Sequence, residues 1–306
     1  FEWDSNAANA VATRATIISG APTASRTMLV STPDRHLVFY GTETTIGDQS
    51  TQDDMFIRFS DQENINDYTP TATNTAGTQR LADGSRIVGA VRGRDAIYVW
   101  TDTSLFTMRF IGPPFTFGFE QVGTNCGLIG QNAAIEVDGA AYWLSDNGFF
   151  RYSGNLETMI CLVEDYVFDD INTTASQLIN VGLNNLFGEI TWFYPTQSSE
   201  IVNRSVTYNY AESSPQRPIW TTGSLARTTW VDSAVFGLPH GTSYNATGTS
   251  YDVVGNTEGA TTYYQHETGT DQVKSAATTT VAANIESGDF DITRGQGGGA
   301  DLRGDG

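Results

Sequence analysis

A repeat at an offset of 44 residues constrains this chain more than any other feature of its sequence. Tyr98-Val99-Trp100-Thr101-Asp102-Thr103-Ser104-Leu105-Phe106 lies over Tyr142-Trp143-Leu144-Ser145-Asp146-Asn147-Gly148-Phe149-Phe150, matching Tyr, a hydroxyl residue, Asp and Phe. Both copies continue to an arginine, Arg109 and Arg151, at nearly the same distance. Physically the unit is an apolar strand, a tight polar turn and a second aromatic strand, which makes a hairpin. A spacing of about 40–45 residues is what a four-stranded propeller blade needs.

Weaker relatives extend the pattern. Arg35-His36-Leu37-Val38-Phe39-Tyr40 places an apolar strand behind an arginine, as Arg94-Asp95-Ala96-Ile97-Tyr98-Val99 does, and Met55-Phe56-Ile57-Arg58-Phe59-Ser60 follows a polar insertion at 42–54. Glu189–Pro195 and Val206–Tyr210 bracket a polar segment as a further hairpin, and Thr228–Val231 with Thr261–Gln265 suggest one more. The expectation is an all-β, β-propeller-like domain over residues 1–292, with four or five blades of about 44 residues. Phe1-Glu2-Trp3-Asp4 reads as the end of an outer strand, so the ring is expected to need further chain. A single stretch, Leu162 to Leu178, has helical spacing, with Val163, Tyr166, Val167 and Ile171 at i, i+3, i+4 and i+8. It predicts a short pair of turns between blades. Residues 293–306 are rich in glycine without apolar period and are expected to be a flexible segment.

Charge narrows the function classes. The formal net charge is −19, from 35 carboxylates against 16 bases, so a phosphate backbone would be repelled and no specific nucleic-acid binding is expected. No run approaches 18 apolar residues and no basic stretch precedes an apolar one, so no membrane insertion and no signal peptide are predicted. Cys126 and Cys161 are too few for a disulfide framework and lack metal-ligand spacing; free buried thiols are expected.

Candidate catalytic groups each have a plainer account. Asp102 and Asp146 repeat with the hairpin, and an Asp in each turn is expected to cap its own backbone as an Asx-turn rather than to cleave a glycan. Asp169-Asp170 and Asp289-Phe290-Asp291 lack a calcium-loop pattern. His36, His240 and His266 are widely spaced, which signals neither a zinc site nor a Ser-His-Asp triad. The Gly295–Gly299 run lacks the residues of a phosphate loop. Arg303-Gly304-Asp305 is a tripeptide that arises easily by chance, and the sequons at Asn172, Asn203 and Asn245 carry little weight in a Thr-rich chain. Trp100, Trp143, Trp192, Trp220 and Trp230 sit at strand positions, where they either pack between blades or form a carbohydrate-binding surface. No catalytic, cofactor-binding or metal residue is assigned, and no enzyme activity is expected.

Several long segments carry a resemblance. Arg58-Phe59-Ser60-Asp61-Gln62-Glu63-Asn64 with Asp67–Gly77, Ile111-Gly112-Pro113-Pro114-Phe115, Gly123-Thr124-Asn125-Cys126-Gly127-Leu128-Ile129-Gly130, Val167–Asn172, Tyr208–Glu212 and Ile285–Asp291 together resemble virion structural proteins of tailed bacteriophages. By looser analogy the chain is similar to propeller-bearing tail nozzle, hub and head-completion proteins. The resemblance implies a structural role in the virion tail, assembled in the bacterial host cytoplasm. It implies a homo-oligomeric ring contacting other tail or head–tail adaptor proteins, with passive passage of DNA. A tail-fibre or adhesin propeller binding host glycan is the alternative, and a glycan hydrolase the third reading. The Gly-rich end departs from the family pattern.

Overall fold

The computed structural model describes residues 14–32, 34–245, 260–267, 271–274 and 277–280. By internal contact the chain divides into two compact units, residues 1–267 and 268–306. The predicted boundary at 292/293 lies outside the described residues.

The first unit is all-β, a succession of antiparallel sheets, each a meander of consecutive strands. The first sheet comprises β1 (Thr27–Ser31), β2 (His36–Tyr40), β3 (Phe56–Phe59) and β4 (Gly77–Arg80). The second comprises β5 (Ile87–Arg92), β6 (Ile97–Thr101), β7 (Ser104–Gly112) and β8 (Thr116–Thr124), and the third β9 (Ala134–Val137), β10 (Ala140–Ser145), β11 (Gly148–Tyr152) and β12 (Leu156–Thr158). The fourth holds β13 (Asn180–Asn184), β14 (Glu189–Tyr194), β15 (Arg204–Asn209) and β16 (Trp220–Gly223). A three-stranded fifth sheet holds β17 (Thr229–Val231), β18 (His240–Asn245) and β19 (Ala260–Gln265). The second unit contains one antiparallel hairpin, β20 (Asp271–Lys274) with β21 (Ala277–Thr280).

The first strands of the last four sheets begin at Ile87, Ala134, Asn180 and Thr229, which are 47, 46 and 49 residues apart. These leading strands pack on one another in order, β1 on β5, β5 on β9, β9 on β13 and β13 on β17, whereas β4, β12 and β16 lie outermost in their sheets. That radial arrangement of four-stranded meanders is propeller-like. The arc is open: among the described residues β1 and β17 do not pack together as their neighbours do.

The repeat marks the hairpin at the heart of a blade. Trp100 faces Leu105 across β6 and β7, and Leu144 faces Phe149 across β10 and β11, in the same register. Every residue of β2, β6 and β10 is buried. A strand covered by a neighbouring sheet on each face gains nothing from alternating polar and apolar side chains, so it reads as a continuous apolar run. Val38 and Tyr40 thus join the core between the first and second sheets, while Leu37 and Phe39 turn the other way under Ile18 and Tyr68. Tyr68 belongs to the long β3–β4 connection, which folds back over the first sheet's outer face and partly covers it. Met28 and Val30 on that face remain 54 % and 46 % exposed.

Two expectations change. The predicted pairing of Thr228–Val231 directly with Thr261–Gln265 is wrong, because β18 lies between β17 and β19. Its residues, His-Gly-Thr-Ser-Tyr-Asn, have no apolar run to announce a strand. The predicted helical stretch becomes a short helix α1 (Glu164–Phe168) and a 3-10 segment at Thr173–Leu178, broken between Asp169 and Asn172, in the passage from the third to the fourth sheet.

Candidate interaction surfaces

Five of the six tryptophans lie at sheet junctions, and Trp3 lies outside the described residues. Trp100, Trp143 and Trp192 are fully buried and Trp220 nearly so. Trp100 of the second sheet meets Trp143 of the third edge-on at 5.4 Å, Phe149 of the third meets Trp192 of the fourth at 5.0 Å, and Phe193 of the fourth meets Trp230 of the fifth at 5.7 Å. The buried Trp100 N–H has no hydrogen-bond partner, but the indole N–H groups of the three sheets that follow donate to backbone carbonyls earlier in the chain. Trp143 donates to Cys126 at 2.8 Å, Trp192 to Ala133 at 2.9 Å and Trp230 to Leu183 at 2.7 Å. The packing reading of these residues therefore holds, and they form no exposed carbohydrate platform.

Asp102 departs from its predicted turn role. The β6–β7 turn is capped by Thr101, whose Oγ1 accepts from the amides of Thr103 at 3.2 Å and Ser104 at 2.9 Å. Asp102 instead reaches the connection before β5, where its carboxylate accepts from the Ser85 amide at 2.8 Å and from the Ser85 hydroxyl. Burial acts to raise its pKa, but these hydrogen bonds outweigh it and hold the carboxyl below its ordinary range. Asp146 accepts from the Ser145 hydroxyl at 3.0 Å. Asp170 stands 3.8 Å from Arg204.

The histidines divide between the two ends of the arc. His36 is buried in the first sheet, within 3.1 Å of the Thr75 hydroxyl and edge-on to Phe117 of the second sheet at 5.1 Å. Burial lowers its pKa. In the fifth sheet His240 meets the Tyr263 hydroxyl, and His266 accepts from Arg227 Nε at 3.0 Å while stacking near Trp230 at 4.5 Å. Burial first, and the adjacent Arg227 second, push the His266 pKa down to about 4. Among the described residues no three His, Cys, Asp or Glu side chains cluster as metal ligands would. Cys126 and Cys161 are free and buried, and burial raises both thiol pKa values to about 11. Asp289, Phe290, Asp291, the Gly-rich run and Arg303–Asp305 lie outside the described residues.

The sequence did not announce the two surfaces that stand out in the fold. One is the β7–β8 hairpin. Its base is fixed: Thr116 Oγ1 donates to the Thr75 carbonyl at 2.9 Å, and Phe117 packs into the junction with the first sheet. Its tip is bare, with Ile111 57 % and Phe115 73 % exposed on either side of Pro113-Pro114. The other is a cleft of about 280 Å³ between the first and second sheets, beside that base. Ile97, Met108 and Phe117 make its apolar floor, and Arg92, Arg94 and Arg109 stand around it with Asp34 and Asp95. The pairing of Ile97 with Met108 brings the β5–β6 turn, which carries Arg94, next to Arg109. No other part of the sequence predicted that convergence.

No family model matches the chain, and no curated protein sequence matches it. Among solved structures it is similar to a chain of the S. cerevisiae assembly of a Dbp5 variant bound to Nup159, a Gle1 variant, IP6 and ADP. The similarity has a TM-score of 0.42 and 8 % identity over 80 % of this chain and 59 % of that one, so this chain spans less than two thirds of that structure's length.

Proposed function

We propose that this chain is a non-enzymatic structural component of a bacteriophage virion, a tail nozzle or hub subunit that assembles into a homo-oligomeric ring with other tail or head–tail adaptor proteins. The observation that carries the reading is the β7–β8 hairpin. Its tip, Ile111-Gly112-Pro113-Pro114-Phe115, is one of the segments in which the sequence resembles tail structural proteins, and it presents large apolar side chains to solvent on a firmly anchored base. Exposed apolar groups on a rigid support favour protein contact over catalysis. The net charge of −19 suits a ring flanking a conduit through which DNA slides without adhering.

Assembly is the test. The purified chain is expected to form rings that persist at high salt, since the contact is apolar, and Phe115→Asp with Ile111→Asp should return it to monomer with an unchanged melting temperature. Sedimentation showing a monomer for the parent chain at all salt concentrations, together with a virion reconstruction lacking this chain, would overturn the reading. The glycan-binding alternative called on exposed tryptophan and tyrosine side chains, of which the five described tryptophans are accounted for between sheets.

A further inference from the structure

The cleft beside the hairpin base carries an inference separate from ring assembly. Three of the 16 basic residues of a strongly acidic chain converge on one opening. Arg92 is held in place by a hydrogen bond from its guanidinium to Thr32 Oγ1 at 2.9 Å. Among the described residues, neither Arg94 nor Arg109 comes within ion-pair distance of a carboxylate, although 35 are present in the sequence. Beneath them the floor is apolar: Ile97, Met108 and Phe117 line it and are largely buried.

We propose that this cleft is a peptide-binding site that takes an acidic segment carrying one large apolar side chain. The apolar side chain rests on Met108 and Phe117, while the neighbouring carboxylate is held by Arg94 and Arg109. Charge balance selects the anion. Three guanidiniums against Asp34 and Asp95 leave one net positive charge, which matches one carboxylate, whereas a phosphate dianion or a polyphosphate backbone would meet the two aspartates unpaid by cations. Volume selects the size: about 280 Å³ lies just below the range of about 300–1,000 Å³ for small-ligand sites and accommodates one side chain with its flanking backbone. Arginine is suited to the carboxylate because its fork donates two parallel hydrogen bonds.

Isothermal titration of the full chain with the blocked peptide acetyl-Gly-Phe-Glu-Gly-amide tests the proposal, with inorganic phosphate and the peptide's Phe-Gln and Ala-Glu forms as comparisons. Saturable binding is expected for the Phe-Glu form. It should weaken at least tenfold when either its carboxylate or its phenyl ring is removed, and at least tenfold in Arg94→Ala with Arg109→Ala. Both arginines are exposed, so this variant should keep the parent melting temperature. Should it lose that temperature, Arg109→Lys, which keeps the charge but not the fork, is expected to weaken binding by a smaller factor in a folded chain. Equal affinity of the parent and the double variant would overturn the proposal. Phosphate binding as tight as the peptide's, or no heat up to millimolar peptide, would do the same. None of these outcomes depends on whether the chain forms rings.

Discussion

Trp192 illustrates how one side chain serves two sheets. Its indole fills the junction between the third and fourth sheets against Phe149, and its N–H satisfies the Ala133 carbonyl. Replacing it with Phe keeps most of the volume and loses that one bond, while the Ala133 carbonyl still accepts from the Leu144 amide at 3.1 Å, so a loss of about 1 kcal/mol is expected, against about 3–5 kcal/mol for Ala, both read from urea denaturation. His266 sets a pH limit of its own. Its pKa in the fold, about 4, lies below the ordinary 6.5, so the unfolded chain binds a proton before the folded chain does. The contribution of His266 to stability is therefore intact above about pH 6.5 and declines as pH falls towards about 4. His266→Gln should flatten the stability–pH curve in that window, monitored by fluorescence of the nearby Trp230. The thiols give a third check. With pKa values near 11, Cys126 and Cys161 should resist alkylation at pH 8 in the folded chain and react at once in denaturant.

At the scale of elements, what the sequence disclosed follows from burial. The β6–β7 and β10–β11 hairpins were legible to the residue because a strand buried on both faces must be apolar throughout and its turn must supply hydroxyls. β2 was legible for the same reason, and β3, β14 and β15 by their aromatic and β-branched residues although part of each is only half-buried. β18 was not, since Thr242 and Tyr244 on its face away from the fourth sheet stay partly exposed, and a partly uncovered face places little apolar demand on the sequence. Outer strands such as Gly77–Arg80 and Leu156–Thr158 are largely exposed and equally silent. The Gly123–Gly130 segment was recognised as a pattern but not as a structure. It is the crossover from the second to the third sheet, with Cys126 and Leu128 amides bonded to the Thr103 and Thr101 carbonyls at 3.0 and 3.1 Å. A Cβ on Gly127 would sit 2.1 Å from the Asp102 carbonyl oxygen, which explains the glycine. Gly182 on β13 is similarly required: a Cβ there would lie 2.5 Å from the Trp230 ring. Gly182→Ala should loosen the fifth sheet selectively, raising amide exchange in β17 and β18 while the second and third sheets keep their protection. The arginine cleft was hidden because Arg94 and Arg109 are brought together only by the register of β6 with β7.

Taken whole, the first unit is an arc of sheets with unlike ends. The first sheet's outer face is partly covered by its own β3–β4 connection through Tyr68, whereas the fifth sheet turns Val231, Tyr244 and the 65 % exposed Tyr263 away from the fourth. The ties between sheets also have a direction. Trp143, Trp192 and Trp230 each donate backwards, to carbonyls of Cys126, Ala133 and Leu183 that precede them in the chain. Each of these indoles therefore finds its acceptor already laid down when it leaves the ribosome, although the fourth-to-fifth junction adds forward bonds, such as Asn180 to the Arg227 carbonyl at 2.9 Å. Synthesis and folding can advance in step from the covered end, and a chain stopped after β16 should still hold four docked sheets, whereas one begun at β5 has lost the surface on which the second sheet's Val99, Phe106 and Phe117 are laid down.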